Sequence, residues 1–119
     1  MALVIVPDDH PPVISDSPAL LELRHAPDVE LRLMTNQPED DFDLSTRIND
    51  AHSVINMRRS TRFTYHVMSG VPSLKHIAVW GTATDNIDLE SARRLNITVT
   101  NTPGTTTDAV AEHTMALAL

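Results

Sequence analysis

With 119 residues the chain suffices for one compact domain, and its 41% apolar and 21% charged residues argue against a disordered acidic tail. Nine Lys plus Arg stand against sixteen Asp plus Glu, a net charge of -7 with only 3% aromatics, so nucleic acid is repelled on average and finds little to stack on. There is no cysteine, hence no disulfide and no thiolate metal ligand, and no apolar run approaches the ~20 residues that span a bilayer. No basic segment precedes the apolar residues at 2–6. The expectation is a soluble, unprocessed, cytoplasmic protein, away from membranes.

Short β-branched runs alternate with helical stretches along the chain. Residues 2–6 form the first expected strand, closed by Pro7; Ser17 is the expected N-cap and Pro18 the first residue of a helix to about Arg24, with Leu20, Leu21 and Leu23 on its apolar side. In 29–34 apolar Val29, Leu31 and Leu33 alternate with Glu30 and Arg32, the pattern of an edge strand with one polar face. Residues 36–43 read as an acidic turn, 44–48 as a short, weakly patterned helix, and 53–57 as a buried strand. A helix over 64–69 ends at Gly70, with Pro72 beyond it, and 76–80 form the fourth strand. Asp88 caps a helix over 89–95 whose Arg93 and Arg94 suit the negative end of its dipole; Asn96 is a candidate C-cap. Residues 97–100 form a fifth strand, and Thr107 opens a last helix, nearly all apolar over 109–119.

Five strands joined by right-handed helical crossovers make an α/β fold, an open doubly wound parallel sheet of flavodoxin-like order 2-1-3-4-5. Ligands bind such sheets at the carboxyl ends of the strands. After strand one, Asp8-Asp9-His10 would repel a phosphate; a metal site is weighed there, but a short solvated turn is the expectation. A phospho-acceptor receiver site would need Asp and Lys where Asn56 and Thr100 stand. After strand three, Arg58, Arg59 and Arg62 crowd into five positions of an acidic protein. Guanidinium forks bind carboxylate or phosphate, so an anion site and a solvated turn neutralising Asp40, Asp41 and Asp43 both remain open. The loop Gly81-Thr82-Ala83 after strand four could offer amides to an anion, and Asn101 after strand five could bond a polar substrate or stabilise its turn.

The segment LKHIAVWGTATDNIDLESARRLNITVTNTPGTTTDAVAEHTMALAL, residues 74–119, resembles the second half of the N-terminal domain of D-isomer-specific 2-hydroxyacid dehydrogenases, notably of the D-3-phosphoglycerate dehydrogenase type. Its D-N-I-D-L, N-T-P-G and A-x-A-E-H strings carry the likeness, and MRRSTRFT matches the family's Arg-Ser loop. The resemblance implies that residues 1–119 are the substrate-binding domain of an NAD-dependent oxidoreductase interconverting a D-2-hydroxy acid and its 2-oxo acid, 3-phosphoglycerate being favoured by the arginines. It implies Arg58, with Arg59, as substrate-anion contacts, Thr82 and Ala83 in the loop that holds the substrate carboxylate, Thr82 also bordering the nicotinamide, and Asn101 facing the substrate. Where the family has Gly-x-Gly, this chain has Gly81-Thr82-Ala83, so a methyl group intrudes on the loop.

In that family a Rossmann domain supplies NAD binding and the Arg, Glu and His of hydride transfer. With glycine only at 70, 81 and 104, no G-x-G-x-x-G exists here. The chain is therefore expected to end before the nucleotide-binding domain, to hold no catalytic residue, and to be inactive alone; His113 reads as a helix-surface or interface residue. Exposure of the apolar 109–119 segment predicts a homodimer. The alternative is an autonomous, non-catalytic, flavodoxin-like anion-binding module.

Overall fold

A computed structural model describes residues 2–12, 14, 17–80 and 84–101. Five parallel strands, β1 (Ala2–Val6), β2 (Val29–Leu33), β3 (Ser53–Asn56), β4 (His76–Val79) and β5 (Thr98–Asn101), stand in the expected order β2-β1-β3-β4-β5. Four helices intervene among the described residues: α1 (Pro18–His25), α2 (Asp41–Arg47), α3 (Tyr65–Ser69) and α4 (Leu89–Arg94). The last expected helix lies outside the described residues.

The two sides of the sheet follow from the alternation of side chains along each strand. Leu3, Ile5, Val54, Ile77 and Val79 face the side where α2 supplies Leu44, α3 supplies Val67 and Met68, and α4 supplies Ala92. Val4, Val6, Ile55 and Ala78 face the other side, against Leu20 and Leu23 of α1. β1, between β2 and β3, is buried on both faces and reads as a continuous apolar run, as central parallel strands do. β2 lies at the edge, and its outward Glu30 and Arg32 pair at 2.8 Å. At the starts of β3 and β4, Ser53 and His76 are buried and share a 2.9 Å hydrogen bond; the other ring nitrogen of His76 lies 2.9 Å from the Thr100 hydroxyl.

Three local expectations are corrected. α2 begins at Asp41, three residues early, because the Asp40 carboxylate accepts the Asp43 N–H at 2.8 Å and Asp41 and Asp43 supply first-turn charge that offsets the helix dipole. An acidic stretch read as a turn is therefore a helix start. Ser17 precedes α1, but its side chain makes no cap hydrogen bond, and Pro18 marks the first turn without it. β5 begins at Thr98 rather than Ile97, since the Ile97 N–H closes α4 by donating to Ala92 O at 2.8 Å and is lost to the ladder. The cap from Asp88 forms as expected, while Thr64, expected as the first residue of α3, is its N-cap instead, its hydroxyl accepting the Val67 N–H at 3.3 Å. Asn96, with φ of 60°, takes the left-handed position just after α4, a conformation asparagine tolerates better than most residues.

Candidate functional site

The direction of winding reverses between β1 and β3, and in such sheets the crevice at the carboxyl ends of the reversing strands is the natural ligand site. Residues 7–12 and 57–64 line its two banks. On the first bank Asp8 and Asp9 are 3% and 0% exposed, which overturns the solvated turn. Asp9 accepts the Ile14 N–H with both oxygens, at 3.3 and 3.2 Å, and Asp8 Oδ2 accepts the Thr61 hydroxyl at 2.8 Å. Asp8 Oδ1 is buried without a hydrogen-bond partner.

Arg58 crosses the crevice. Its Nε donates to the His10 carbonyl at 2.9 Å and its Nη2 to the Pro11 carbonyl. A guanidinium has about five N–H donors, so this half-buried side chain keeps donors for a ligand while holding the segment after β1. Arg59 points to the segment after β4: its Nε and Nη2 reach the two oxygens of Asp85 at 3.2 and 2.7 Å. That bidentate bond holds the Asp85 carboxyl below its ordinary range, Arg62 adding a smaller electrostatic pull, and raises the Arg59 guanidinium in turn. The neutralising partner is thus Asp85, while Asp43 is neutralised by Arg47 at 3.2 Å rather than by this cluster. Exposed Arg62 forms no ion pair with a described residue.

The segments after β3 and β4 are zipped together. Phe63 N–H donates to Asn86 O at 2.9 Å, Asp88 N–H donates to Phe63 O at 3.0 Å, and Phe63 and Ile87 form a parallel bridge. The buried Asn86 amide donates to the carbonyls of Thr61 at 2.7 Å and Arg58 at 3.4 Å. Between the segments lies a shallow cleft of about 180 Å³ edged by Arg62, Thr64, Asp85 and Asp88. Asp88 caps α4; the Ser91 hydroxyl and then the Ser91 amide hold its carboxyl below the ordinary range.

The structure brings Arg58 and Arg59 to the same edge as residues 84–88, which follow the Gly81-Thr82-Ala83 loop. Thr82 and Ala83 themselves lie outside the described residues, as does His113. Asn101 ends β5 in register with Val79 and is exposed at the same carboxyl edge, two strands from β3. The sequence reading missed the buried roles of Asp8, Thr61 and Asn86. Its available signal was the Asp8-Asp9 pair placed directly after an apolar strand and ahead of Pro11-Pro12, where a chain leaving the core is still buried.

These residues do not fit the pyrophosphate of a dinucleotide. Asp8 and Asp9 occupy the first β-to-α turn, where such a group needs glycines and free amides rather than carboxylates.

The family model for the D-isomer specific 2-hydroxyacid dehydrogenase catalytic domain matches residues 5–116. A glyoxylate reductase from Thermofilum pendens is 33% identical over 106 residues, covering 89% of this chain and 31% of that protein. Among solved structures, a phosphoglycerate oxidoreductase from Vibrio cholerae aligns with a TM-score of 0.74 at 23% identity, over 88% of this chain and 32% of that one. An NAD+-bound 3-phosphoglycerate dehydrogenase from Entamoeba histolytica aligns with a TM-score of 0.67 at 25% identity, over 87% of this chain and 33% of that one. The chain spans about a third of the length of these relatives. With its sheet order, its carboxyl-edge crevice and a match over nearly its whole length, this chain belongs to the D-isomer specific 2-hydroxyacid dehydrogenase family.

Proposed function

We propose that residues 1–119 are the substrate-binding domain of an NAD-dependent oxidoreductase that interconverts a D-2-hydroxy acid and its 2-oxo acid, and that the chain by itself is inactive. The observation that carries this reading is the basic bank of the β1–β3 crevice in a member of this family: Arg58 bridges the two banks and retains donors for an anion. Arg58, with Arg59, binds the substrate anion; the amides of Thr82 and Ala83 hold its carboxylate; Asn101 bonds its polar end. NAD supplies the hydride, and a separate Rossmann domain holds it, with Thr82 at the nicotinamide edge. Exposed Arg62 adds a further positive charge near the site, which favours a phosphorylated acid such as 3-phosphoglycerate. The protein acts in the cytoplasm, and its apolar 109–119 segment pairs with a second copy.

The test is a coupled pair of assays with NADH against glyoxylate, hydroxypyruvate and 3-phosphohydroxypyruvate. The 119-residue chain gives no turnover above a blank, and the longer polypeptide read from its frame does. Turnover by the chain alone would overturn the domain assignment. A natural stop after Leu119 would return the autonomous anion-binding module, and preference for glyoxylate would remove the phosphorylated substrate.

A further inference from the structure

Two turns face each other at the carboxyl edge of β3 and β4. Arg58–Thr61 is closed by the Thr61 N–H, which donates to Arg58 O at 3.3 Å, and Thr84–Ile87 by the Ile87 N–H, which donates to Thr84 O at 3.0 Å. Two side-chain links join them. The outer link is the Arg59–Asp85 ion pair, whose side chains are 71% and 63% exposed. The inner link is Asn86, which is 6% exposed. Its amide donates to Thr61 O at 2.7 Å and, more weakly, to Arg58 O at 3.4 Å, the carbonyls at the two ends of the arginine turn.

An arriving anion treats the two links differently. Water and salt screen the outer pair, and an anion that takes Arg59 displaces Asp85. The Asn86 amide is neutral, buried and bonded to backbone carbonyls, so an anion on the guanidinium groups does not compete for it. Its own Oδ1 is buried without a hydrogen-bond partner among the described residues, a cost in stability that a residue present only to fill space would avoid.

We propose that Asn86 is the positioning residue of the anion site: its amide fixes the arginine turn relative to the turn leading out of residues 81–83, and thereby favours an acid with an anionic group at each end over one with a single carboxylate. This role rests on the proposed function, in which Arg58 and Arg59 bind one end of the substrate and residues 82 and 83 the other. A short acid needs one contact and tolerates a loose turn. A substrate gripped at both ends needs both contacts at once, each held to within about 0.5 Å.

Amide NMR titrations of the 119-residue chain with D-3-phosphoglycerate and with D-glycerate, at equal ionic strength, test this. Asn86→Ala leaves every charge in place and keeps the backbone bonds that join Phe63 to Asn86 and Asp88, so the change falls on the turn. The Kd for 3-phosphoglycerate is expected to rise about tenfold and that for glycerate by less than about twofold. Asn86→Ser, which retains one donor, carries the same comparison with a smaller change of the same sign if the alanine variant fails to fold. Leu23→Ala, in the core on the other side of the sheet, loses stability but leaves the ratio of the two Kd values as in the wild type. An unchanged ratio in the folded Asn86 variants, with binding still weakened by Arg58→Ala, would overturn the positioning role alone. Binding that is absent from the wild type, or that Arg58→Ala leaves intact, would overturn the anion site and the positioning role with it.

Discussion

The Arg59 guanidinium closes on the Asp85 carboxylate through two hydrogen bonds, at 3.2 and 2.7 Å, and so ties the segment after β3 to the segment after β4. Both side chains are well exposed, 71% and 63%, so water and salt screen the pair and its removal costs little stability. If Arg59 is the substrate-anion contact proposed above, Asp85 competes with that anion for it. In a polypeptide that joins this domain to the proposed Rossmann domain, Arg59→Ala is expected to raise KM and Asp85→Asn, which frees the guanidinium, to lower it, with thermal midpoints nearly unchanged in both. Steady-state kinetics check the opposite signs; equal KM values in both variants would take Arg59 out of the site.

Arg58→Ala raises KM more than it lowers kcat if the contact is equally strong in the ground and transition states. A charge-assisted contact worth roughly 1.5–3 kcal/mol corresponds to about tenfold to somewhat over a hundredfold in kcat/KM. Because Arg58 also holds the His10 and Pro11 carbonyls, Arg58→Lys separates its two roles. Lysine keeps the charge but lacks the fork. Rescue of KM by lysine assigns the effect to charge, and no rescue assigns it to support of the loop. Unchanged kinetics in Arg58→Ala would return the cluster to a solvated turn.

Phe63 is 0% exposed and anchors the bridge to Ile87. Truncation to alanine costs about 3–5 kcal/mol, a large share of the roughly 5–15 kcal/mol that holds a domain together. Urea denaturation followed by circular dichroism then shows a much lower midpoint, with Phe63→Leu in between. A loss below about 1 kcal/mol would mean that the backbone zipper holds without its apolar anchor.

Asp43, Asp85 and Asp88 all titrate below their ordinary value of 3.8. The main causes are the Glu39 N–H and then Arg47 for Asp43, the Arg59 guanidinium for Asp85, and the Ser91 hydroxyl and then its amide for Asp88. A carboxyl whose folded pKa is depressed contributes stability above its unfolded pKa and loses it as pH falls through the folded value. The thermal midpoint therefore loses these contributions below pH ~4 and keeps them above pH ~5. Asp88→Asn starts lower at neutral pH and declines less steeply in acid. An acid limb identical to that of the wild type would remove Asp88 from this account.

The apolar side chains over 109–119, Val110, Met115, Leu117 and Leu119 among them, predict concentration-dependent association of the 119-residue chain. Burial gains roughly 25 cal/mol per Å² of apolar surface, so a few hundred Å² supply several kcal/mol before association costs. Light scattering at micromolar concentration is expected to report a dimer. A monomer that persists through a tenfold rise in concentration would show that the segment is satisfied within one chain.

Sheet order and the edge position of β2 were legible in the sequence because they rest on short-range physics, whereas Leu21, expected on the apolar side of α1, is 48% exposed, since only Leu20 and Leu23 turn toward the sheet. β2 declared itself through Glu30 and Arg32 alternating with apolar residues, β1 through an unbroken apolar run, α3 through Gly70 and Pro72 at its end, and α4 through Asp88 at its cap. The arginine cluster was legible as well, as an excess of positive charge in an acidic chain. What each arginine touches was not. Arg58 finds carbonyls 48 and 47 residues away and Arg59 finds Asp85 26 residues away, and such pairings depend on which loops the sheet brings to one edge. The same holds for buried Asp8, whose Oδ2 accepts from the Thr61 hydroxyl, 53 residues distant. A local pattern encodes the period and the cap, because those interactions close within a turn or a strand; only the assembled sheet decides which distant polar groups must satisfy one another.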